Sequence, residues 1–424
     1  MQVEIYYKVK KQMKFYKIIA LAAAALMAGS AAAQGTLSPY SKTAYGILSD
    51  NASGIQRSMG GVGYAMQDGR AINVKNPASY SQVDSLTFLW DFGLDFTAVQ
   101  MKEDGKKGSG KGGGLDYLTS QFKIAKHLGG SFGLLPYSSV GYSFGSDING
   151  GSEYRTGSGG LLQLYAGAGY EPIKNLSVGA NVAYLFGTTT NTNTVTSSST
   201  TLFQRIMQVR DYNLNIGVQY ALNIDKDNKI IVGATYSPKK SLHGTTWGTY
   251  YDTQDSKLDT VSWTSLKGNF EMPNTYGAGI SYNYSNKLLA EVDFTYQDWA
   301  KVKYTPIEGI EASNMTFNNR WKAAAGVQFC PGSRTSYLGA VKFRAGGFYN
   351  HDYINIMGNN VRDYGATFGL GFPVPGATGK TTINLGFEWK RRVTTPVLKI
   401  QEDYFNVTLG VNFNEVWFWK NKIR

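Results

Sequence analysis

The chain has 424 residues, of which 42 are Lys or Arg and 30 are Asp or Glu, so its net charge at pH 7 is +12. The basic residues form no dense block, and this disfavours nucleic-acid binding, which needs one. A single cysteine, Cys330, excludes an internal disulfide framework. Only 17% of the residues are charged, whereas Gly (50 residues) and Tyr (29 residues) are abundant.

The N-terminus has the features of an export signal. Met13–Lys17 is basic, Ile18–Met27 is an apolar run, and Ala31–Ala33 before Gln34 is typical of a cleavage site. The run is too short and wrongly flanked to be a spanning helix. We therefore predict that residues 1–33 are a signal peptide with an upstream extension. Their removal leaves 424 − 33 = 391 residues and, with five Lys and one Glu lost, a charge of +12 − 5 + 1 = +8.

Alternation of apolar and polar residues is the main structural signal in the rest of the chain. Every second residue from Phe405 to Phe413 is apolar, and Leu288–Tyr296 alternates in the same way, with Glu291 and Asp293 on its polar side. A soluble sandwich also alternates, but its strands are usually shorter. The pattern predicts an all-β, 14-stranded antiparallel transmembrane β-barrel. The predicted strands lie at about 85–101, 112–127, 131–147, 157–171, 175–190, 202–223, 229–250, 259–284, 287–305, 319–330, 337–350, 360–373, 379–392 and 402–419.

The predicted connections alternate between long and short, as in outer-membrane barrels, which have long outside loops and short periplasmic turns. The long ones include Lys102–Lys111, Asp147–Arg155 and Thr190–Thr201. One of them, Gly105–Gly112, approaches a phosphate-binding loop. It has Gly112 where a magnesium-binding hydroxyl is needed, so a mobile surface loop is the prediction.

The sequence gives no sign of catalysis. The three histidines, His127, His243 and His351, have no metal-ligand spacing, and no Ser–His pair is marked. We predict a protein that is not an enzyme and that uses no cofactor and no metal.

Residues 34–84 lack the strand pattern and precede the barrel, which is predicted to occupy residues 85–424. They are rich in Ser, Gly and Ala. The segment Met59–Met66 is too apolar and Gly-rich for a free tail. An N-terminal plug, or hatch, inside the lumen is therefore favoured over a solvated periplasmic tail.

Four short motifs follow one another along the chain: Asn76-Pro77-Ala78 before the first strand, Leu135-Pro136-Tyr137 in the third, Asp293–Trp299 in the ninth and Arg344-Ala345-Gly346 in the eleventh. In this order they resemble the FadL-type outer-membrane transporters of long-chain fatty acids and other hydrophobic molecules. The resemblance implies a fourteen-stranded barrel with an N-terminal plug. The chain differs from the family pattern at its C-terminus, where Trp417-Phe418-Trp419 is followed by a basic extension and the family usually ends on an aromatic residue.

The resemblance implies passive transport of hydrophobic small molecules such as long-chain fatty acids, through plug rearrangement near Asn76, Pro77 and Ala78. Proline cannot donate to a strand ladder, so Pro136 and Tyr137 mark either a lateral wall opening or a harmless bulge. The resemblance favours the opening.

Three cations of the predicted plug, Arg57, Arg70 and Lys75, are candidates to meet a ligand carboxylate, although solvated or structural roles are favoured for them.

Two other functions remain open. The main alternative is a non-transporting barrel subunit of an outer-membrane protein secretion or assembly complex, and the second is a general diffusion porin. The predicted location is the outer membrane of a Gram-negative cell. The expected partners are a hydrophobic small molecule, lipid or detergent, the lipids of that membrane, the barrel assembly machinery during insertion and, for the alternative role, other outer-membrane proteins.

Overall fold

The computed structural model describes residues 37–253, 257–306, 315–332, 336–374 and 381–416. The predicted signal peptide and the aromatic end Trp417-Phe418-Trp419 lie outside these residues.

Fourteen antiparallel strands, numbered β1 to β14 in chain order, form one closed transmembrane-type barrel, which confirms the predicted fold class. Closure is made by β1 and β14, which pair from Thr87 with Val416 to Lys102 with Gln401. The strands are Thr87–Glu103 (β1), Lys106–Ala125 (β2), Leu128–Ser139 with Tyr142–Ile148 (β3), Gly151–Ile173 (β4), Leu176–Thr196 (β5), Thr200–Asn223 (β6), Asn228–Ser237 with Gly244–Asp252 (β7), Lys257–Ser265 with Thr275–Tyr284 (β8), Leu288–Gln297 (β9), Arg320–Phe329 (β10), Lys342–Ile356 (β11), Asn359–Pro373 (β12), Thr382–Thr395 (β13) and Gln401–Val416 (β14).

The other elements are short. One α-helical turn, Gly54–Arg57, and the 3₁₀ turns Pro39–Lys42 and Pro77–Gln82 precede the barrel. No helix in the described ranges is long and apolar enough to cross a membrane. The remaining pieces are the 3₁₀ turns Trp299–Lys301 and Leu338–Ala340 and the two-residue strands Ile47–Leu48, Lys240–Ser241 and Glu271–Met272.

The two faces of the wall follow the alternation read from the sequence. On β9, Val292 and Phe294 are exposed on the outside, whereas Glu291 and Asp293 are buried on the lumen side. This arrangement is typical of a barrel whose outer face meets lipid.

The predicted long outside loops are mostly wrong. Lys102–Lys111 forms the end of a β-hairpin that turns at Asp104-Gly105, and β5 and β6 run on to a short turn after Thr196. The phosphate-loop-like segment is therefore strand. The sequence did not predict these strand extensions because they are rich in Thr and Gly, and hydrophobic alternation identifies only strands that meet lipid.

The segment before β1 lies inside the barrel lumen, at the place predicted for a plug. Its side chains Tyr45, Met59, Val62, Ile72 and Tyr80 are almost completely buried. Two large apolar clusters join the plug to the inner wall. We call residues 37–84 the plug below.

The start of the plug is held by the end of the chain. The Ser38 hydroxyl donates to the Glu402 carboxylate at 2.8 Å, and the Tyr40 hydroxyl donates to the Ile400 carbonyl at 2.6 Å. The first described residues are thus tied to β14 and the turn before it, at the seam where the barrel closes.

Candidate functional site: the junction of plug and wall

The Asn76-Pro77-Ala78 motif fastens the plug to β6. Asn76 is the N-cap of the turn Pro77–Gln82, and its side-chain oxygen accepts the Ala78 backbone N–H at 3.1 Å. Its amide nitrogen donates to the carbonyls of Tyr64 at 2.7 Å and Val218 at 3.1 Å. One side chain therefore joins two parts of the plug to the wall.

Glycines in the wall let the plug backbone come close. A Cβ added at Gly179 would lie 2.4 Å from the carbonyl carbon of Pro77, and one added at Gly346 would lie 2.2 Å from that of Met59. Both distances are far inside van der Waals contact, so at these positions the wall accepts the plug because it has no side chain there.

Two acidic residues of β9 bind the Gly-rich part of the plug. Asp293 accepts the backbone N–H groups of Gly63 at 2.7 Å and Tyr64 at 3.2 Å, and Glu291 accepts that of Ala65 at 2.7 Å. Lys75 lies 3.5 Å from the same Asp293 oxygen. Carboxylate–amide hydrogen bonds are among the stronger ones in proteins, so this contact is a main anchor of the plug.

A cavity of about 480 Å³ lies between the plug and the upper wall. Its accessible lining is about half polar and half apolar, and it includes six acidic and five basic residues that nearly balance in charge. These are Asp50, Asp95, Asp116, Asp352, Asp363 and Glu388, with Arg57, Arg320, Lys322, Lys390 and Arg392.

Ion pairs connect the plug to the wall around this cavity. The Asp50 carboxylate contacts the Lys322 ammonium and lies 3.6 Å from the Arg320 guanidinium. Burial alone would raise the pKa of Asp50, but Lys322 and Arg320 hold that pKa well below its usual range. Arg57 pairs with Asp116 of β2 at 2.6 Å.

Several polar atoms at the cavity have no hydrogen-bond partner among the described residues. They include Asp116 Oδ2, Ser138 Oγ and Asn350 Oδ1, all of side chains that are buried from bulk solvent. A buried polar atom without a partner is costly, so these side chains lower the stability of the junction between plug and wall.

The wall has a gap beside the cavity. The β2–β3 ladder ends at the pair Leu118–Leu134, and the upper part of β3 pairs on that side with the plug residues Ile47 and Leu48. The β3–β4 register shifts between Pro136 and Ser138, which places a bulge at Tyr137. The Tyr137 hydroxyl contacts the Met272 sulfur at 3.5 Å.

At the end of the barrel opposite the start of β1, an aromatic cluster packs the plug against the wall. Tyr45 of the plug lies with its ring centroid 5.8 Å from that of Trp299, which stacks on Tyr353 at 4.3 Å. Phe270 and Val361 are buried in the same cluster.

The three predicted headgroup cations are spread out. Arg57 lines the cavity, and Lys75 is buried against Asp293 and the Tyr64 ring. Arg70 forms an exposed ion pair with Asp84 at 2.8 Å. The structure therefore brings only Arg57 to the cavity.

A family model described as BamG matches residues 14–424, which is almost the whole chain. The chain belongs to the BamG family. No curated protein matches it in sequence.

This BamG-family chain is also similar in fold to several solved barrels. It is 16% identical to the Pseudomonas putida toluene transporter TodX, with 88% of this chain and 100% of that chain covered and a TM-score of 0.60. A Pseudomonas aeruginosa FadL homologue gives 12% identity, 88% and 99% coverage and a TM-score of 0.64. The Ralstonia pickettii toluene transporter TbuX is 15% identical, with 86% of this chain and 98% of that chain covered and a TM-score of 0.57. The resemblance to FadL-type barrels is thereby confirmed at the level of fold.

Sequence reasoning missed most of the junction in this BamG-family barrel. It noted Glu291 and Asp293 as the polar side of a strand and Asp293 also as the start of the motif Asp293–Trp299, but it did not single out Asp50, Asp116 or Lys322. A usable signal was present, because charged residues on the lumen face of a barrel strand need partners. No group of three or more potential ligands placed to hold a metal occurs in the part of the chain that the structure describes.

Proposed function

We propose that this protein is a non-transporting barrel subunit of an outer-membrane complex for protein secretion or assembly. The observation that carries the proposal is the lining of the cavity beside the wall gap, where eleven acidic or basic side chains line the space that a hydrophobic ligand would cross.

Solvent physics supports this choice over transport. An acyl chain gains about 0.8 kcal/mol per methylene by leaving water, so it needs a continuous apolar path. A path through this cavity would take Asp50, Lys322 and Arg57 away from water and put hydrocarbon in its place, which is costly even for paired charges. The aromatic cluster around Trp299 packs the plug against the wall at the end of the barrel opposite the start of β1. A barrel filled in this way preserves the permeability barrier while its outer surface remains free for partners.

The proposal is tested by purifying the affinity-tagged full chain, at its natural abundance, from membranes dissolved in a mild detergent. We expect one or more other outer-membrane proteins to co-purify in a fixed ratio and to migrate with it in native electrophoresis. A tagged barrel of similar abundance and unrelated function is the control. A chain that migrates alone, with no cross-linked neighbour in intact cells, would refute the proposal. Membrane fractionation in the same experiment tests the outer-membrane location.

Transport of hydrophobic small molecules, such as long-chain fatty acids, is the second candidate. The gap between β2 and β3 beside Pro136 favours it, as does the fold shared with proteins described as toluene transporters. In this role Asn76, Pro77 and Ala78 would move with the plug, Arg57 would meet a carboxylate, and the ligand would leave sideways into lipid.

The second candidate predicts that cells without the protein take up a labelled long-chain fatty acid more slowly. Unchanged uptake would rule out this transport role. The remaining alternative, a diffusion porin, predicts high ion conductance of the purified barrel in planar bilayers, which a filled lumen should not give.

A further inference from the structure

One edge of β2 has no partner strand. Towards β1 the β2 ladder continues up to the pair Glu103–Lys106, but towards β3 it stops at Leu118–Leu134. No described residue makes a ladder bond to the stretch Lys106–Tyr117 on that side. The facing edge of β3 differs, because the plug pairs with it at Ile47 and Leu48.

Part of this open edge lies at membrane height. Phe96 of β1 is directly opposite Gly113, and Phe96 is 57% exposed on the outer face, as expected for a lipid-facing residue. Unpaired backbone groups at this depth are expensive, because hydrocarbon offers no hydrogen bonds. The free edge is thus a place where a further strand adds hydrogen bonds without breaking any.

The sequence of the edge suits a second backbone. Glycines fill most of Gly108–Gly114, and strand glycines often mark the close approach of another chain. Lys106, Lys107 and Lys111 are exposed along the same stretch. Edge lysines discourage unspecific pairing, so a strand that does bind has to neutralise them. Acidic side chains opposite the lysines meet this requirement.

The cavity supplies room on the inner side. It reaches Gly113, Gly114 and Asp116 of β2 as well as Ser138 of β3. Asp116 Oδ2 and Ser138 Oγ have no partner there among the described residues, and both side chains are more than nine-tenths buried. An added strand would therefore find room for its inward side chains beside Gly113 and Gly114.

We infer that the β2 edge, Lys106–Asp116, is a docking site for an extended strand of a partner polypeptide that carries acidic residues opposite the three lysines. Backbone hydrogen bonds supply the attachment, as in other cases of strand addition, and the charges supply selectivity. This inference rests on the proposed subunit role and names the surface through which that role is carried out.

The test compares three full-length proteins purified from native membranes in mild detergent. They are the wild type, the edge variant Lys106→Glu, Lys107→Glu, Lys111→Glu, and a control variant with the same charge change at exposed turns of the opposite end, Lys174→Glu, Lys226→Glu, Lys287→Glu. The amount of co-purified outer-membrane protein per barrel is measured. The rate of amide hydrogen exchange of residues 106–116 is also measured, both in the complex and in the barrel alone.

We expect the edge variant to retain at most about a tenth of the partner, because three attractive pairs become repulsive, while the control variant retains all of it. In the wild type the amides of 106–116 should exchange at least about tenfold more slowly in the complex than in the barrel alone. Equal exchange in the two states, or full partner retention by the edge variant, would overturn the inference and leave the subunit role standing. A wild type that purifies without any partner would overturn the subunit role itself.

Discussion

Replacing Asp293 with Asn should release the Gly-rich part of the plug without opening the barrel. The substitution keeps the shape of the side chain but removes the charge that receives the N–H groups of Gly63 and Tyr64 and that pairs with Lys75. A hydrogen bond to a charged group contributes about 1.5–3 kcal/mol and a neutral one about 1 kcal/mol. Two weakened bonds and one unpaired buried ammonium together should cost about 3 kcal/mol in plug docking.

Amide hydrogen exchange measures this cost directly. A loss of about 3 kcal/mol corresponds to about 100-fold faster exchange of residues 59–66 where exchange follows local opening. The amides of β12 and β13, which do not contact Asp293, report on the barrel. Asp104→Asn, at the exposed tip of the β1–β2 hairpin, is the matched control and should change neither region.

The reasoning would be refuted if exchange in 59–66 rose less than about threefold in an intact barrel, which is within the effect of a neutral surface change. Equal acceleration of plug and wall would also refute it, because the carboxylate would then stabilise the whole fold and not the docking of the plug.

Three further predictions concern the same junction. Gly179→Val should displace the Pro77 turn and lower the thermal midpoint of the barrel, because overpacking costs about 1–3 kcal/mol. Resistance of residues 76–83 to protease equal to that of the wild type would contradict this. Asp50 should make plug docking sensitive to acid. Its pKa in the folded state lies below the unfolded value of about 4, so its contribution is complete above about pH 5 and is lost as the pH falls below that. Asp50→Asn should remove this part of the acid dependence in melting curves from pH 7 to 3, and identical curves for both proteins would argue against the ion pair with Lys322. Pro136→Val should leave partner co-purification unchanged because Ile47 and Leu48 of the plug still hold the facing edge of β3, so the β2 edge stays free. Slower uptake of a labelled fatty acid by this variant would instead support transport.

The barrel was predictable because lipid imposes a repeating requirement on each strand. Val292 and Phe294 face outwards and Asp293 inwards for the same reason, and any strand that meets lipid carries this alternation. Strand ends that extend beyond the lipid, such as Lys106–Gly112 and Thr188–Thr196, need no apolar residue at every second position. Their sequence was therefore predicted to form loops.

The junction was harder to predict because its pairs join residues far apart in the chain. Lys322 differs in no local way from an exposed lysine; only its contact with Asp50, across most of the barrel sequence, gives it a role. Pro136 was found because proline has a local effect on any strand ladder. Asp116 was not, because its place on the lumen face shows that it needs a partner but not that Arg57 of the plug is that partner.

The bonds from Ser38 and Tyr40 to Glu402 and Ile400 have a consequence for the order of events during biogenesis. The N-terminal end of the mature chain is synthesised first, yet the residues that hold it are among the last to be made. Until β14 arrives, this end has its bonds to the β3 side, such as that from the Ser38 N–H to the Gly141 carbonyl, but lacks the bonds to Glu402 and Ile400. Contacts so distant in sequence form slowly. Correct seating of residues 38–40 therefore reports that the final strand is in place, and a chain truncated before Ile400 should expose its N-terminus to periplasmic proteases.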